Sequence, residues 1–259
     1  LVHAAQFRLL TKLRAQGALP VRPEGLGAAL ELLDEVVREV ADATAEELAP
    51  AIPRVWEDTL EAVRRDLREW LHRAADDPSW VPARFELAFG IPAGEERDEA
   101  SRAAPVPLSI GMTLRGAIDL VEEREGKLRA TDHKTGSAWI KPGQRIGGGE
   151  KLQPILYALA LEAIFPAQEV SGGRLYYCTE KGHYSEVEVP LDADARVAIT
   201  KLIETVDTSV RTGFLPPAPT ERACSFCDYA AVCGPHERRR TQRKEGDRLV
   251  TLDSLRRMP

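Results

Sequence analysis

No stretch of this sequence approaches the roughly 20 consecutive apolar residues that a helix needs to cross a bilayer, so a membrane-spanning protein is excluded. A basic leader with a short apolar core and a small-residue cleavage site is also lacking. The chain instead opens on LVHAAQFRLLTKL, which reads as the inside of an amphipathic helix and so as a piece of something larger. Cysteine is scarce: four in 259 residues are too few and too unevenly spread for a secreted disulfide scaffold. A reducing, cytoplasmic compartment is expected. Positive charge is not in excess either. The net charge of −6 argues against a passive nucleic-acid coat, though not against an enzyme with a local basic path. One such path is the C-terminal HERRRTQRK, where Arg238, Arg239, Arg240, Arg243 and Lys244 gather with Arg222 just upstream. What is present is a globular composition, 43% hydrophobic and 29% charged, which predicts a packed core rather than disorder.

The periodicity divides the chain. Residues 1 to about 16 read as a helix. Leu26, Leu30, Leu33, Val37 and Val40 share one face of a second. Pro53 opens a third, in which Val55, Leu60, Val63, Leu67, Trp70 and Leu71 recur at three- and four-residue steps. After DDPSWVP the pattern changes to alternation. RFELAFG, VPLSIGMTLRGAIDLVEE and KLRATDHKTG read as strands, with the polar loop IPAGEERDEASRAAP between the first two. KLQPILYALALEAIF is a helix, GGRLYYCTE and HYSEVEVPL a hairpin, and DADARVAITKLIETVDTSVRTG a further helix. Helices, then a sheet with an intervening helix, then helices and a cysteine-bearing tail make an α/β fold with a helical N-terminal part. The expected divisions are a helical part at 1–78, a core at 79–215 and a cysteine-bearing, basic tail at 216–259.

GAIDLVEEREGKLRATDHKTG is two short apolar strands around a charged turn, with Asp119 on one and Asp132 on the other. Taken singly, a turn-capping aspartate and a solvent-facing lysine are ordinary. Jointly they are not, because Ala130, Asp132 and Lys134 share strand parity and point to one face. Asp119, at the end of the preceding strand, reaches that face if the strands pair. Two acids alone would repel and one would hold its proton. A divalent cation resolves this by taking both as oxygen ligands, leaving Lys134 to orient a water or steady a charged oxygen.

Asp, then about a dozen residues, then Asp-x-Lys resembles the core of the PD-(D/E)XK nucleases, most closely their RecB-like branch with its AddB-type helicase–nuclease subunits. The motifs of that branch run in order here as LVH (His3), FELAFG (Glu86), GAID (Gly116 to Asp119), DHKTG (Asp132 to Gly136) and QPILY (Gln153, Tyr157). The resemblance implies a restriction-endonuclease-like central mixed sheet flanked by helices. It implies that Asp119 and Asp132, with the His133 backbone carbonyl and His3, ligate Mg²⁺ or Mn²⁺, and that Lys134 is the catalytic lysine. Gln153 and Tyr157, one helical turn apart, touch the scissile strand or the groups around it. For Glu86 an edge-strand glutamate accounts equally well. The implied activity is hydrolysis of DNA phosphodiesters, exonucleolytic on single-stranded ends. Its setting is a repair or recombination enzyme with a helicase or motor domain in the same chain or complex.

ACSFCDYAAVCG places Cys224, Cys227 and Cys233 within ten residues, a spacing suited to thiolate chelation of one metal. Zinc usually shows two paired knuckles, and no second pair is present. The triplet is similar to the C-terminal triplet of AddB-type nucleases. That likeness implies a structural [4Fe–4S] cluster whose fourth cysteine lies upstream of His3; Cys178 reads as core. Two other readings stay open: a catalytically silent DNA-binding module, and a zinc-dependent interaction module in which the hairpin acids are surface charge.

Overall fold

A computed structural model describes residues 1–92, 94, 96–138, 143–220, 223–234, 236–243 and 246–259, with only the backbone for Arg238, Asp247 and Arg248. Arg222 and Lys244 of the basic path lie outside these residues. Three helices come first: α1 (Val2–Ala15), α2 (Leu26–Leu48) and α3 (Pro53–Asp76). Pro53 sits in the first turn of α3, where its missing N–H costs nothing. The buried residues of α1, Ala5, Gln6, Leu9, Leu10 and Leu13, form one stripe, and α2 packs against both α1 and α3.

The sheet has the order β1-β4-β5-β6-β7. Its strands are β1 (Val81–Phe89), β4 (Gly116–Arg124), β5 (Lys127–Lys134), β6 (Glu169–Tyr177) and β7 (Glu186–Pro190). Two short strands, β2 (Val106–Pro107) and β3 (Thr113–Leu114), pair separately, where the sequence reads continuous strand from Val106. All contacts in the main sheet are antiparallel except β5–β6. A parallel neighbour cannot be reached by a tight turn, and α4 (Gln153–Ile164) lies within the crossover. The mixed sheet with helices on both faces is compatible with a restriction-endonuclease-like fold.

Two cores result. Leu9, Leu33, Leu67, Trp70 and Leu71 meet Phe85, Leu120, Tyr176 and Cys178 on the face covered by α1–α3. On the other face Leu87, Phe89, Ile118 and Val121 meet α4 and α5 (Ala193–Thr212) through Ile155, Ala158, Leu161, Ile199 and Leu202. Asp192 caps α5 by accepting from the Ala195 N–H at 2.8 Å. Pressing α4 onto the sheet requires a residue without a side chain: a Cβ at Gly173 would lie 2.1 Å from the Pro154 carbonyl oxygen.

The tail after α5 carries α6 (Ala230–Cys233), α7 (Glu237–Gln242) and α8 (Val250–Arg256). Of these, α8 returns to the body, burying Leu255. The Ile146 and Gly148 N–H groups donate to the Pro259 and Met258 carbonyls at 2.8 and 3.0 Å. No helix among the described residues is long and apolar enough to cross a membrane.

One buried ionic group lies under α3. Glu122 Oε2 accepts from Arg129 Nη2 at 3.0 Å and Arg174 Nη2 at 2.9 Å, and also from the Thr131 hydroxyl. The Trp80 ring covers Arg129, whose guanidinium carbon is 4.1 Å from the ring centroid. Removing one member of a buried ion group strands the rest, at a cost of about 3–5 kcal/mol. Glu122→Ala is therefore expected to lower unfolding free energy by that order in a denaturant titration. Lys127→Ala, which breaks only the exposed pair with Glu169, should stay within about 0.5 kcal/mol; equal costs for the two would remove the network as a stability element. Gly173→Ala, by overpacking α4 against β6, should cost about 1–3 kcal/mol in the same titration.

Candidate active site

The β4–β5 hairpin turns at Glu125–Gly126, both in left-handed conformations (φ 52° and 78°) that match strand twist. Its pairs run from Arg124↔Lys127 to Leu120↔Thr131 and stop there. Asp119 is the next residue back: it is the fourth residue of β4, near the start of the strand and not at its end. Its carboxylate takes over where the ladder stops, accepting from the His133 N–H at 2.7 Å. β5 meanwhile stays paired with β6 through Asp132↔Leu175, His133↔Tyr176 and Lys134↔Tyr177. The two strands thus part around Asp119 and Asp132.

Into this opening α1 brings His3, whose Nδ1 is 3.6 Å from Asp119 Oδ1. Edge strand β1 brings Glu86 to the position facing Asp119, bracketed by the pairs Phe85↔Leu120 and Leu87↔Ile118. Glu86 is left-handed (φ 51°), a conformation costing a non-glycine residue about 1–3 kcal/mol. Phe85 and Leu87, two apart, pack into opposite cores, and the irregular residue between them allows that switch. His3, Glu86 and Asp119 each offer a ligand atom, all within 4.8 Å of one another. This nitrogen-and-carboxylate set suits a divalent cation.

Asp132 and Lys134 form a second group. Lys134 Nζ lies 2.6 Å from Asp132 Oδ2 and donates to Gln153 Oε1 at 2.6 Å. The Gln153 Nε2 amide donates to Asp132 Oδ1 at 2.8 Å and to the Tyr157 hydroxyl at 3.5 Å. Asp132 Oδ2 receives no well-aligned hydrogen bond although it is buried, so this carboxylate retains acceptor capacity. The Tyr157 ring stands perpendicular to Phe89, with centroids 6.4 Å apart, and rests against Gly116.

Burial raises the carboxyl groups of Glu86 and Asp132, the latter partly offset by Lys134. Burial pushes Asp119 the same way, but His3 and the His133 N–H outweigh it and hold Asp119 low. Contact with Asp119 raises His3 above its ordinary 6.5. The His133 side chain points away from Asp132 and Lys134, into the ring cluster of His3, Trp70 and Tyr176, and burial holds it down at about 4, hence neutral.

The tail cysteines are placed otherwise. Cys224 and Cys233 are half-buried, Cys227 is exposed and all are free. Among the described residues their sulfurs do not converge on one point, and His3, Glu86 and Asp119 form the single three-ligand group. The donor type suits an iron–sulfur cluster, but the arrangement does not. Cys178 is fully buried, its thiol pushed up to about 12 by burial.

Two residues beside the site escape a reading by motif. Arg97 reaches Glu86 Oε2 at 3.3 Å. Lys151 donates to the Tyr177 hydroxyl at 3.0 Å. The only signal for Lys151 was a cation two residues before Gln153.

Known proteins give an independent view. Over 152 residues the chain is 32% identical to a CRISPR-associated exonuclease Cas4/endonuclease Cas1 fusion from Myxococcus xanthus, covering 57% of this chain and 26% of that protein. It is 28% identical over 144 residues to the Gene 69 protein of Mycobacterium phage L5, covering 54% of this chain and 47% of that one. The Gene 69 protein of phage D29 is 30% identical over 125 residues, 48% of this chain and 43% of its own length. The chain thus spans less than half the length of each. A family model described as the PD-(D/E)XK nuclease superfamily matches residues 1–234 of 259, and the chain belongs to that superfamily.

Proposed function

We propose that this chain is the catalytic part of a divalent-metal-dependent deoxyribonuclease, with Mg²⁺ or Mn²⁺ held at the parted end of the β4–β5 hairpin. The observation carrying this reading is the convergence of His3, Glu86 and Asp119 within 4.8 Å beside the Asp132–Lys134 pair. When bound, the cation lowers the pKa of a water and neutralises charge building on the phosphate.

The chain's own residues do the remaining work. Asp119, His3 and Asp132, with the His133 carbonyl, would hold the cation, and Glu86 would add a carboxylate from the facing strand. Asp119 is fixed before anything binds, because the His133 N–H already takes one of its oxygens. Lys134 places its ammonium where the attacking water or a phosphate oxygen lies. Gln153 grips Lys134 and Asp132 together, so neither swings away, which supplies the positional order that catalysis by proximity needs. Tyr157 steadies Gln153.

The finer reading is an exonuclease acting on single-stranded ends, of the RecB-like branch with its AddB-type members. Its role is in DNA repair or recombination beside a helicase or motor. The motif order His3, Glu86, Asp119, Asp132–Lys134, Gln153, Tyr157 supports the branch, and a relative named as an exonuclease supports the mode of attack. The spacing of Cys224, Cys227 and Cys233 is what supports a structural [4Fe–4S] cluster, which would need these three sulfurs brought together from the positions they hold here; no step of the reaction runs through them.

Asp132→Asn and Lys134→Ala are each expected to lower Mg²⁺-dependent cleavage of linear single-stranded DNA by about 10²–10³-fold or more, with the melting temperature little changed. Undiminished cleavage by both variants sinks the assignment. Circular single-stranded DNA should survive intact if the attack begins at ends. His3→Ala should raise the metal concentration needed for half-maximal cleavage by roughly 10–100-fold, read from a Mn²⁺ titration; an unmoved midpoint takes His3 out of the ligand set.

A further inference from the structure

Lys151 is not explained by the metal site. It is half-buried and joins no ion pair among the described residues. Among the described residues its ammonium makes one hydrogen bond, to the Tyr177 hydroxyl at 3.0 Å. Most buried or half-buried cations of this fold do have acids: Arg129 and Arg174 share Glu122, and Lys134 has Asp132. A cation held in place without an anion retains its full attraction for one.

The strand register says where this ammonium lies. Tyr177 is the β6 partner of Lys134, and paired residues of neighbouring parallel strands project to the same face. Tyr176, one residue back, lies against His133 on the opposite face, so Tyr177 shares the Asp132–Lys134 side. Lys151 also sits two residues before Gln153, the residue that Lys134 grips. Through Tyr177, Lys151 therefore reaches the face of the sheet that carries Asp132 and Lys134, and among the described residues no acid is paired with it there. Lys151 is not swinging freely. Its backbone N–H donates to the Ile146 carbonyl at 3.0 Å, and Tyr177, whose side chain it reaches, is 4% exposed.

We propose that Lys151, braced by Tyr177, is a positioning residue that receives a phosphate of the substrate strand adjoining the one being cut. This rests on the nuclease reading. A phosphodiester strand laid through the site presents a second negative charge one nucleotide away, and Lys134 is already engaged by Asp132 and Gln153. Lys151 meets that charge and fixes the strand's register over the metal without touching the reacting atoms.

Three proteins test it: wild type, Lys151→Met and Lys151→Arg, each assayed for cleavage of a single-stranded oligodeoxynucleotide with Mg²⁺. Each is also assayed for binding, in an Asp132→Asn background, across roughly 50–200 mM salt. The expected result for Lys151→Met is a KM raised several-fold with kcat nearly kept. Its slope of log Kd against log salt should be shallower by about 0.7, the loss of one phosphate contact on a single strand. Lys151→Arg should restore both. An unchanged slope overturns the proposal, and so does a fall in kcat at unchanged Kd, which would assign Lys151 to the chemistry or the fold. A wild-type protein that neither binds nor cuts defeats the nuclease reading itself. A wild-type protein that cuts, beside a Lys151→Met slope that does not move, defeats only the role of Lys151.

Discussion

The parallel pairing of β5 with β6 is the constraint on which the rest of this structure depends. Antiparallel neighbours can be joined by two residues, as Glu125–Gly126 joins β4 to β5. A parallel neighbour demands a return trip, and that trip holds the helix α4. The return also fixes where α4 begins, over the end of β5 that carries Asp132 and Lys134. Gln153, its first residue, thereby reaches both side chains, and Tyr157 follows one turn later. Gly173 permits the approach, since any Cβ there would strike the Pro154 carbonyl. A single choice of strand direction thus places a helix, and the helix places half of the site.

The other half comes from an absence of pairing. β4 and β5 separate beyond Leu120↔Thr131, and the backbone group left over at His133 is satisfied by the Asp119 carboxylate. Buried backbone groups seldom go unpartnered, so this substitution both stabilises the gap and aims Asp119. The same oxygen-rich opening is where Glu86 adopts its left-handed turn. Irregular backbone, a carboxylate standing in for a ladder bond and two carboxyl groups raised by burial all coincide at one point. Such a coincidence is what a functional site shows, and it is the physical basis for proposing a cation there.

How much of this was legible beforehand depended on the range of the interaction. Strand period two put Asp132 and Lys134 on one face, and helix period put Gln153 beside Tyr157; both are local facts that a string of letters carries. The three-helix start and the succession of strands along the chain were readable for the same reason, apart from β2 and β3, whose split by a turn at residues 108–112 leaves little alternation to detect. The flip of Phe85 and Leu87 into opposite cores was not readable, because alternation predicts a shared face and only the φ of Glu86 undoes it. Nor was the Glu122–Arg129–Arg174 group, whose members lie up to 52 residues apart and look like surface charge one by one. The link from Lys151 to the Lys134 side of the sheet was invisible too, because it runs through Tyr177 and only the β5–β6 register sets Tyr177 beside Lys134.

The docking of α8 has a consequence for the segment before it. α5 ends at Thr212, capped by Gly213, and the chain is fastened again where Met258 and Pro259 take the Gly148 and Ile146 N–H groups. The stretch carrying Cys224, Cys227 and Cys233 is therefore a bridge with both abutments on the same body rather than a trailing end. Its thiols are tethered to that body on both sides. A group that engaged these thiols would close a loop already anchored at both ends, at a smaller entropic cost than in a peptide with one end free.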